Sequence, residues 1–273
     1  MSILELPKID AHCHVLEPAR FAYGEHIAYK PAGQEMGSAR DFTAVMDCYA
    51  VQHALLVGPN SGYGTDNRCL LDALTLRRAD GTPRFKGIAV VPNDCSVDTL
   101  QSLQAQGVIG VAFNPSLMGS AHYADLAPLL GRLQQLDLWA QFQVEKNQLL
   151  DFLPMIHASG VKVLIDHCGR PDLSAAAQEG FKALLALGNS LSKNQGRAVV
   201  KLSGFAKFSQ TGFPFADVRP VVSQLVEHFG LDHCVWASDW PYLKAPQRLD
   251  YGPMLRLYEN EFSSSDLQTL MWD

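Results

Sequence analysis

Lys8-Ile9-Asp10-Ala11-His12-Cys13-His14-Val15 is a strand-length run that ends in ionisable side chains. It is too short for an average helix, and the two-residue period of a strand puts His12 and His14 on the same side. Working outward, the same grammar recurs seven more times, at residues 54–59 (ALLVGP), 86–91 (KGIAVV), 108–114 (VIGVAFN), 138–144 (LWAQFQV), 162–168 (KVLIDHC), 198–204 (AVVKLSG) and 234–240 (CVWASDW). Each run is rich in β-branched or bulky apolar residues, the signature of a buried parallel strand. Eight such runs with helical segments between them predict a single (β/α)8 TIM barrel, distorted, spanning residues 1–273. A barrel of this kind typically takes ~250 residues and so uses nearly the whole chain.

The intervening segments support this reading. Residues 70–79, 97–106, 123–136 and 147–159 have helical period, and Leu149, Leu150, Leu153, Ile156 and His157 fall on one predicted face. Ser96 suits an N-cap, and Gly107 and Gly160 stand where a left-handed residue ends a helix. Residues 17–40 lack period and carry Gly24, Pro31, Gly33 and Gly37, which predicts a long, lid-like loop after the first strand. No glycine-rich phosphate loop follows any strand, which disfavours an open nucleotide-binding sheet.

Composition narrows the function classes. The chain has 22 Lys+Arg against 28 Asp+Glu, a net charge of −6, with no basic stripe, so neither nucleic acid nor a membrane surface is an expected partner. No apolar run is long enough to span a bilayer, and the first residues show no basic, apolar leader pattern. Six cysteines without a C-x-x-C pair read as free thiols of a cytoplasmic protein. Cys13 and Cys168, beside histidines, read as small core residues. Nothing in the sequence indicates an oligomeric state.

In a barrel the C-terminal strand ends build the active site. Three runs end in chemistry: Asp10-Ala11-His12-Cys13-His14, Asp166-His167-Cys168-Gly169 and Ser238-Asp239-Trp240-Pro241. Adjacent first and eighth strands would unite His12, His14 and Asp239, with His167 across the mouth. Two imidazoles two residues apart can chelate one divalent ion or bracket one substrate oxygen. Singly, each motif has an ordinary structural reading, as a satisfied core pair, an oriented imidazole or a helix cap. Their coincidence at strand ends favours a site.

With those motifs the chain resembles the amidohydrolase superfamily in its lactonase branch, and within it the 2-pyrone-4,6-dicarboxylate lactonase family. The matching pieces also include Tyr29-Lys30-Pro31, Gly64-Thr65-Asp66-Asn67, Phe113-Asn114 and Asp166-His167-Cys168-Gly169-Arg170-Pro171-Asp172. They run in one order over nearly the whole chain. The resemblance implies a hydrolase that opens a small lactone, with Asp239 as general base toward water and His12, His14 and His167 polarising the ester carbonyl. It further implies substrate contacts from Tyr29, Lys30, Thr65, Asn67, Asn114, Arg170 and Lys207. By the same resemblance the chain would continue from Trp272-Asp273 into Asn-Pro and a short tail.

Two departures bear on cofactor and substrate. The usual extra metal ligands on the fourth and fifth strands are missing, so the expectation is no required cofactor, or one divalent metal such as zinc held weakly by His12, His14 and Asp239. An arginine of the dicarboxylate lactonases before Phe-Asn is replaced by Ala112, and another after the seventh strand by Lys207. A lactone with one carboxylate, or a sugar lactone, therefore fits at least as well as a dicarboxylate. The competing readings are a metal-dependent decarboxylase of the same superfamily and a non-catalytic metabolite-binding barrel.

Overall fold

Parallel pairing runs unbroken from the first strand to the eighth in a computed structural model that describes residues 2–175, 178–192 and 196–273. The strands are β1 (Lys8–Cys13), β2 (Val51–Val57), β3 (Phe85–Ala89), β4 (Val108–Phe113), β5 (Trp139–Phe142), β6 (Lys162–Ile165), β7 (Ala198–Leu202) and β8 (Cys234–Trp236). The residues beyond β8 close the barrel against β1. Asp239 N donates to the His12 carbonyl at 2.8 Å, and His14 N donates to the Trp240 carbonyl at 2.8 Å. The expected eight-stranded barrel is therefore present, but several strands are shorter than the sequence runs. Polar strand ends such as 166–168 leave the sheet as a tight turn, His167–Gly169.

Helices cover the outside, and local chemistry explains their ends. Val97–Ala105 begins at Ser96, whose hydroxyl accepts from Thr99 N, and Leu149–Ser159 ends at the left-handed Gly160 (φ 61°). The buried face of the latter is Leu149, Phe152 and Ile156, whereas Leu150 and His157 are exposed, which corrects the predicted face by one position. The 70–79 segment is helical only over Arg68–Leu74, because Asp80-Gly81 turns the chain into a small bridge between Arg77 and Pro83. The 123–136 segment starts later, at Ala127, where Pro128 suits the first helical turn. The long loop ends sooner than read, since Ser38 and Asp41 form a reciprocal capping box that starts the helix Ala39–Cys48.

The barrel lumen is divided. On the β2–β4 side Val57, Ile88, Val90 and Ala112 form an apolar cluster separate from the main core. Buried polar residues come instead from β1, β5, β6, β7 and the segment after β8, among them Asp10, His12, Gln141, Asp166, Lys201 and Asp239. Burying that many polar groups is unfavourable unless they satisfy one another, so this half of the lumen is where function is to be sought.

Candidate active site

Asp10 sets the frame at the first strand. Its Oδ1 accepts from Ser238 N at 2.9 Å and His12 N at 3.2 Å, and its Oδ2 accepts from Tyr251 at 2.9 Å. These bonds tie β1 to the segment carrying Asp239. Burial pushes the Asp10 carboxyl up to about 6 despite the donors around it.

Above Asp10, the strand's two-residue period turns both imidazoles inward. His14 Nδ1 donates to the Val57 carbonyl at 2.8 Å, which leaves Nε2 as a bare acceptor in the neutral ring. That atom lies 3.2 Å from His12 Nε2, and each is 3.8 Å from Asp239 Oδ1. His167 does not stand across the mouth. Its ring centroid is 4.7 Å from that of His12, and its Nε2 is 3.5 Å from the same Asp239 oxygen. Ser203 holds its other nitrogen at 3.0 Å. The approach requires glycine at 204 (φ +66°), since a Cβ there would lie 2.5 Å from His167 Cγ.

Asp239 is the convergence point. Its Oδ2 pairs with Lys207 Nζ at 2.8 Å, while its buried Oδ1 has no hydrogen-bond partner among the described residues. Burial alone would raise this carboxyl, but the Lys207 ammonium leads the influences that outweigh burial and hold it below the ordinary value. Burial also drives His12 and His167 well below the usual imidazole range and lowers His14, so all three are neutral near pH 7. Asp239, His167 and Cys168 all have left-handed backbones (φ 63°, 52° and 57°), a strain that tends to gather at functional sites.

The residues suit a divalent ion. Tetrahedral zinc ligands lie about 3.3 Å apart given Zn–N bonds of ~2.0–2.1 Å, close to the His12, His14 and Asp239 separations. These three ligand atoms, and separately those of His12, Asp166 and His167, lie within 4.8 Å of one another. Asp239 Oδ1 and His167 Nε2 have no hydrogen-bond partner among the described residues, and His14 Nε2 carries a lone pair 3.2 Å from His12 Nε2.

Beside this cluster lies a cavity of about 350 Å³ lined in part by His14, Asn60, Ala112, Asn114, Arg170 and Lys207. It brings together Asn114, Arg170 and Lys207 on one wall. Arg170 is already paired with Glu145 at 2.9 Å, and Asn114 Oδ1 caps the short helix after β4. Tyr29, Lys30, Thr65 and Asn67 are absent from its wall. Tyr29 bonds Glu35 and carries Lys244 Nζ 4.6 Å over its ring, and Thr65 is exposed. The Asn67 amide clamps Val90, donating to its carbonyl at 2.8 Å and accepting from its N–H at 3.0 Å, which makes it a structural bridge. Asn60 and Ser61 from the same loop reach the cavity instead.

Sequence reasoning missed Lys201 and Gln141. Lys201 is fully buried, 3.0 Å from Asp166 Oδ1, 2.8 Å from Gln141 Oε1 and 3.1 Å from His12 Nδ1. The available signal was a lysine inside the otherwise apolar AVVKLSG.

The amidohydrolase family model matches residues 9–273, nearly the whole chain. The chain belongs to the amidohydrolase family. This amidohydrolase is 30% identical to 4-sulfomuconolactone hydrolase of Rhizobium radiobacter over 256 residues, covering 91% of this chain and 81% of that one. It is 28% identical to 2-pyrone-4,6-dicarboxylate hydrolase of Comamonas testosteroni over 253 residues, 90% and 79% of the two chains. A crystal structure from Pseudomonas putida, described as a candidate 2-pyrone-4,6-dicarboxylic acid hydrolase, superposes with a TM-score of 0.81 at 27% identity. That match covers 98% of this amidohydrolase and 95% of the other chain.

Proposed function

We propose that this amidohydrolase opens small lactones by attack of water on the ring ester. The observation that carries the reading is Asp239 Oδ1: a buried carboxylate oxygen without a hydrogen-bond partner among the described residues, facing three neutral imidazoles at 3.5–3.8 Å. An ionised carboxylate so placed takes a proton from water as the water oxygen bonds the carbonyl carbon, a role that contributes ~10²–10⁴-fold. Lys207 fixes the carboxylate through Oδ2 and leaves Oδ1 facing the reacting water. Of the three imidazoles, His167 can turn an N–H at Nε2 toward the negative charge that develops on the carbonyl oxygen, while His14, with a bare Nε2, holds the neighbouring His12 ring. Collapse breaks the ring C–O bond, and the proton held by Asp239 passes to the leaving alkoxide, giving a hydroxy acid. A bound divalent ion such as zinc would be held by His12, His14 and Asp239 and would polarise the ester carbonyl.

The curated relatives are named for anionic lactones, and the lysines and arginine on this cavity's wall are Arg170, Lys207 and Lys244. Arg170 and Lys207 already face carboxylates, and Ala112 leaves a methyl group on the wall at β4. These features support a lactone with one anionic group, or a sugar lactone, as the substrate. In the decarboxylase reading β5 would supply a histidine ligand, but β5 supplies Gln141, which is engaged with Lys201 and Asp166. The six free cysteines suit a reducing, cytoplasmic setting. The test is a hydrolysis screen of pyrone carboxylates, muconolactones and sugar-acid lactones, with metal content measured on the same preparation. Ring opening of at least one class is expected. Binding across the panel without turnover would overturn the proposal in favour of a metabolite-binding barrel.

A further inference from the structure

Lys201, on β7, is fully buried and reaches His12 Nδ1 at 3.1 Å, and no step above employs it. Its surroundings determine where hydrogens go. An ammonium has three donors, and the structure supplies three acceptors: Asp166 Oδ1 at 3.0 Å, Gln141 Oε1 at 2.8 Å and His12 Nδ1 at 3.1 Å. The orientation of Gln141 is fixed independently, because its Nε2 donates to Asp166 Oδ2 at 2.9 Å. A flipped amide would set its N–H against the ammonium and its oxygen against the carboxylate.

The other end of His12 leads to the same assignment. His14 gives its Nδ1 hydrogen to Val57 and so presents a bare Nε2, 3.2 Å from His12 Nε2. A hydrogen on His12 Nε2 makes that contact a hydrogen bond. With the hydrogen on Nδ1 instead, two lone pairs would face each other there, and a donor would face the Lys201 ammonium at 3.1 Å. Asp166 Oδ1, 3.2 Å from Nδ1, favours that second form, which is also the form a metal on Nε2 needs.

We propose that Lys201 is a positioning residue that fixes His12 with its hydrogen on Nε2, so that His12 donates to His14 Nε2 and both lone pairs needed for metal capture by His12, His14 and Asp239 are withdrawn. The tautomer and the metal effect do not depend on the lactonase reading. Lys201 and Asp166 thus pull the same imidazole toward opposite roles, donor and ligand.

The test is ring-nitrogen NMR of the full-length, ¹⁵N-histidine-labelled, metal-free chain, with His12 signals identified by their loss in His12→Gln. The expected result is a proton-bearing Nε2 and a bare Nδ1. In Lys201→Met the hydrogen moves to Nδ1, toward Asp166, and zinc measured by competition with a chromophoric chelator binds about 10–100-fold more tightly, the usual scale for a changed partner behind a metal ligand. A hydrogen on Nδ1 in the unaltered protein overturns the proposal. So does a folded Lys201→Met with unchanged His12 tautomer or with zinc affinity no higher than before. If that variant does not fold, the spectrum of the unaltered protein decides alone. Lactone turnover enters none of these readings, so failure here is distinguishable from failure of the lactonase assignment.

Discussion

Replacing Lys207 by methionine isolates what holds the candidate base ionised. The ammonium is 2.8 Å from Asp239 Oδ2, with side chains 14% and 4% exposed. At that separation Coulomb's law gives about 1.5 kcal/mol in a water-like dielectric of 80 and about 6 kcal/mol at an effective 20, or roughly 1 to 4 pKa units. A neighbouring opposite charge in proteins typically lowers a carboxyl by about 1–3 units, within that bracket. With Lys207 present, Asp239 titrates below the usual carboxylate value, so kcat/KM on an accepted lactone stays high through mildly acidic pH. No limb arises near the usual imidazole value of ~6.5, because His12, His14 and His167 remain neutral. Without Lys207, burial dominates and raises the carboxyl, so the acid limb of kcat/KM moves up by about 1–3 units. The assay is a kcat/KM–pH profile of both proteins at constant ionic strength. A limb that stays in place, or moves to lower pH, would refute the reasoning that Lys207 sets the charge of Asp239.

Two further substitutions separate scaffold from chemistry. Asn67→Ala should lower stability by about 1–3 kcal/mol, since it leaves the N–H and carbonyl of Val90 without their partner, while kcat/KM stays near that of the parent. Denaturant unfolding checks it, and a raised KM at unchanged stability would mean that Asn67 contacts substrate after all. Gly204→Ala should cost about 1–2 kcal/mol for the left-handed backbone alone and displace the His167 ring, so both melting temperature and kcat fall. An alanine variant that keeps the parent's kcat would show that the position of His167 is not critical.

The barrel was legible because each strand is a short apolar run and each spacer has helical period, signals that depend only on local burial. The three polar strand ends were legible for a related reason. Asp10 and His12 interrupt an apolar run on β1, and His14, His167 and Asp239 stand just past strand ends, all at buried positions. The contacts of loop residues were harder to read. Asn67 stands in a recognisable motif, yet its amide serves Val90, and only the packing of β3 against that loop reveals it. Lys207 also reads as a cation available to a substrate until the fold places it on Asp239. Lys201 was hidden for the opposite reason. A buried lysine makes sense only when Asp166, Gln141 and His12, from three other strands or strand ends, are seen to supply its acceptors. Pairings between distant strands leave no local pattern in the chain.

The central claim is that Asp239 activates water against a lactone. Its most direct test is the rate of ring opening by Asp239→Asn, measured at saturating substrate on the best lactone of the panel, with folding verified by an unchanged circular dichroism spectrum. The account predicts a loss of about 10²–10⁴-fold in kcat, the range expected when a general base is removed. Turnover at the parent's rate in the folded variant would contradict it.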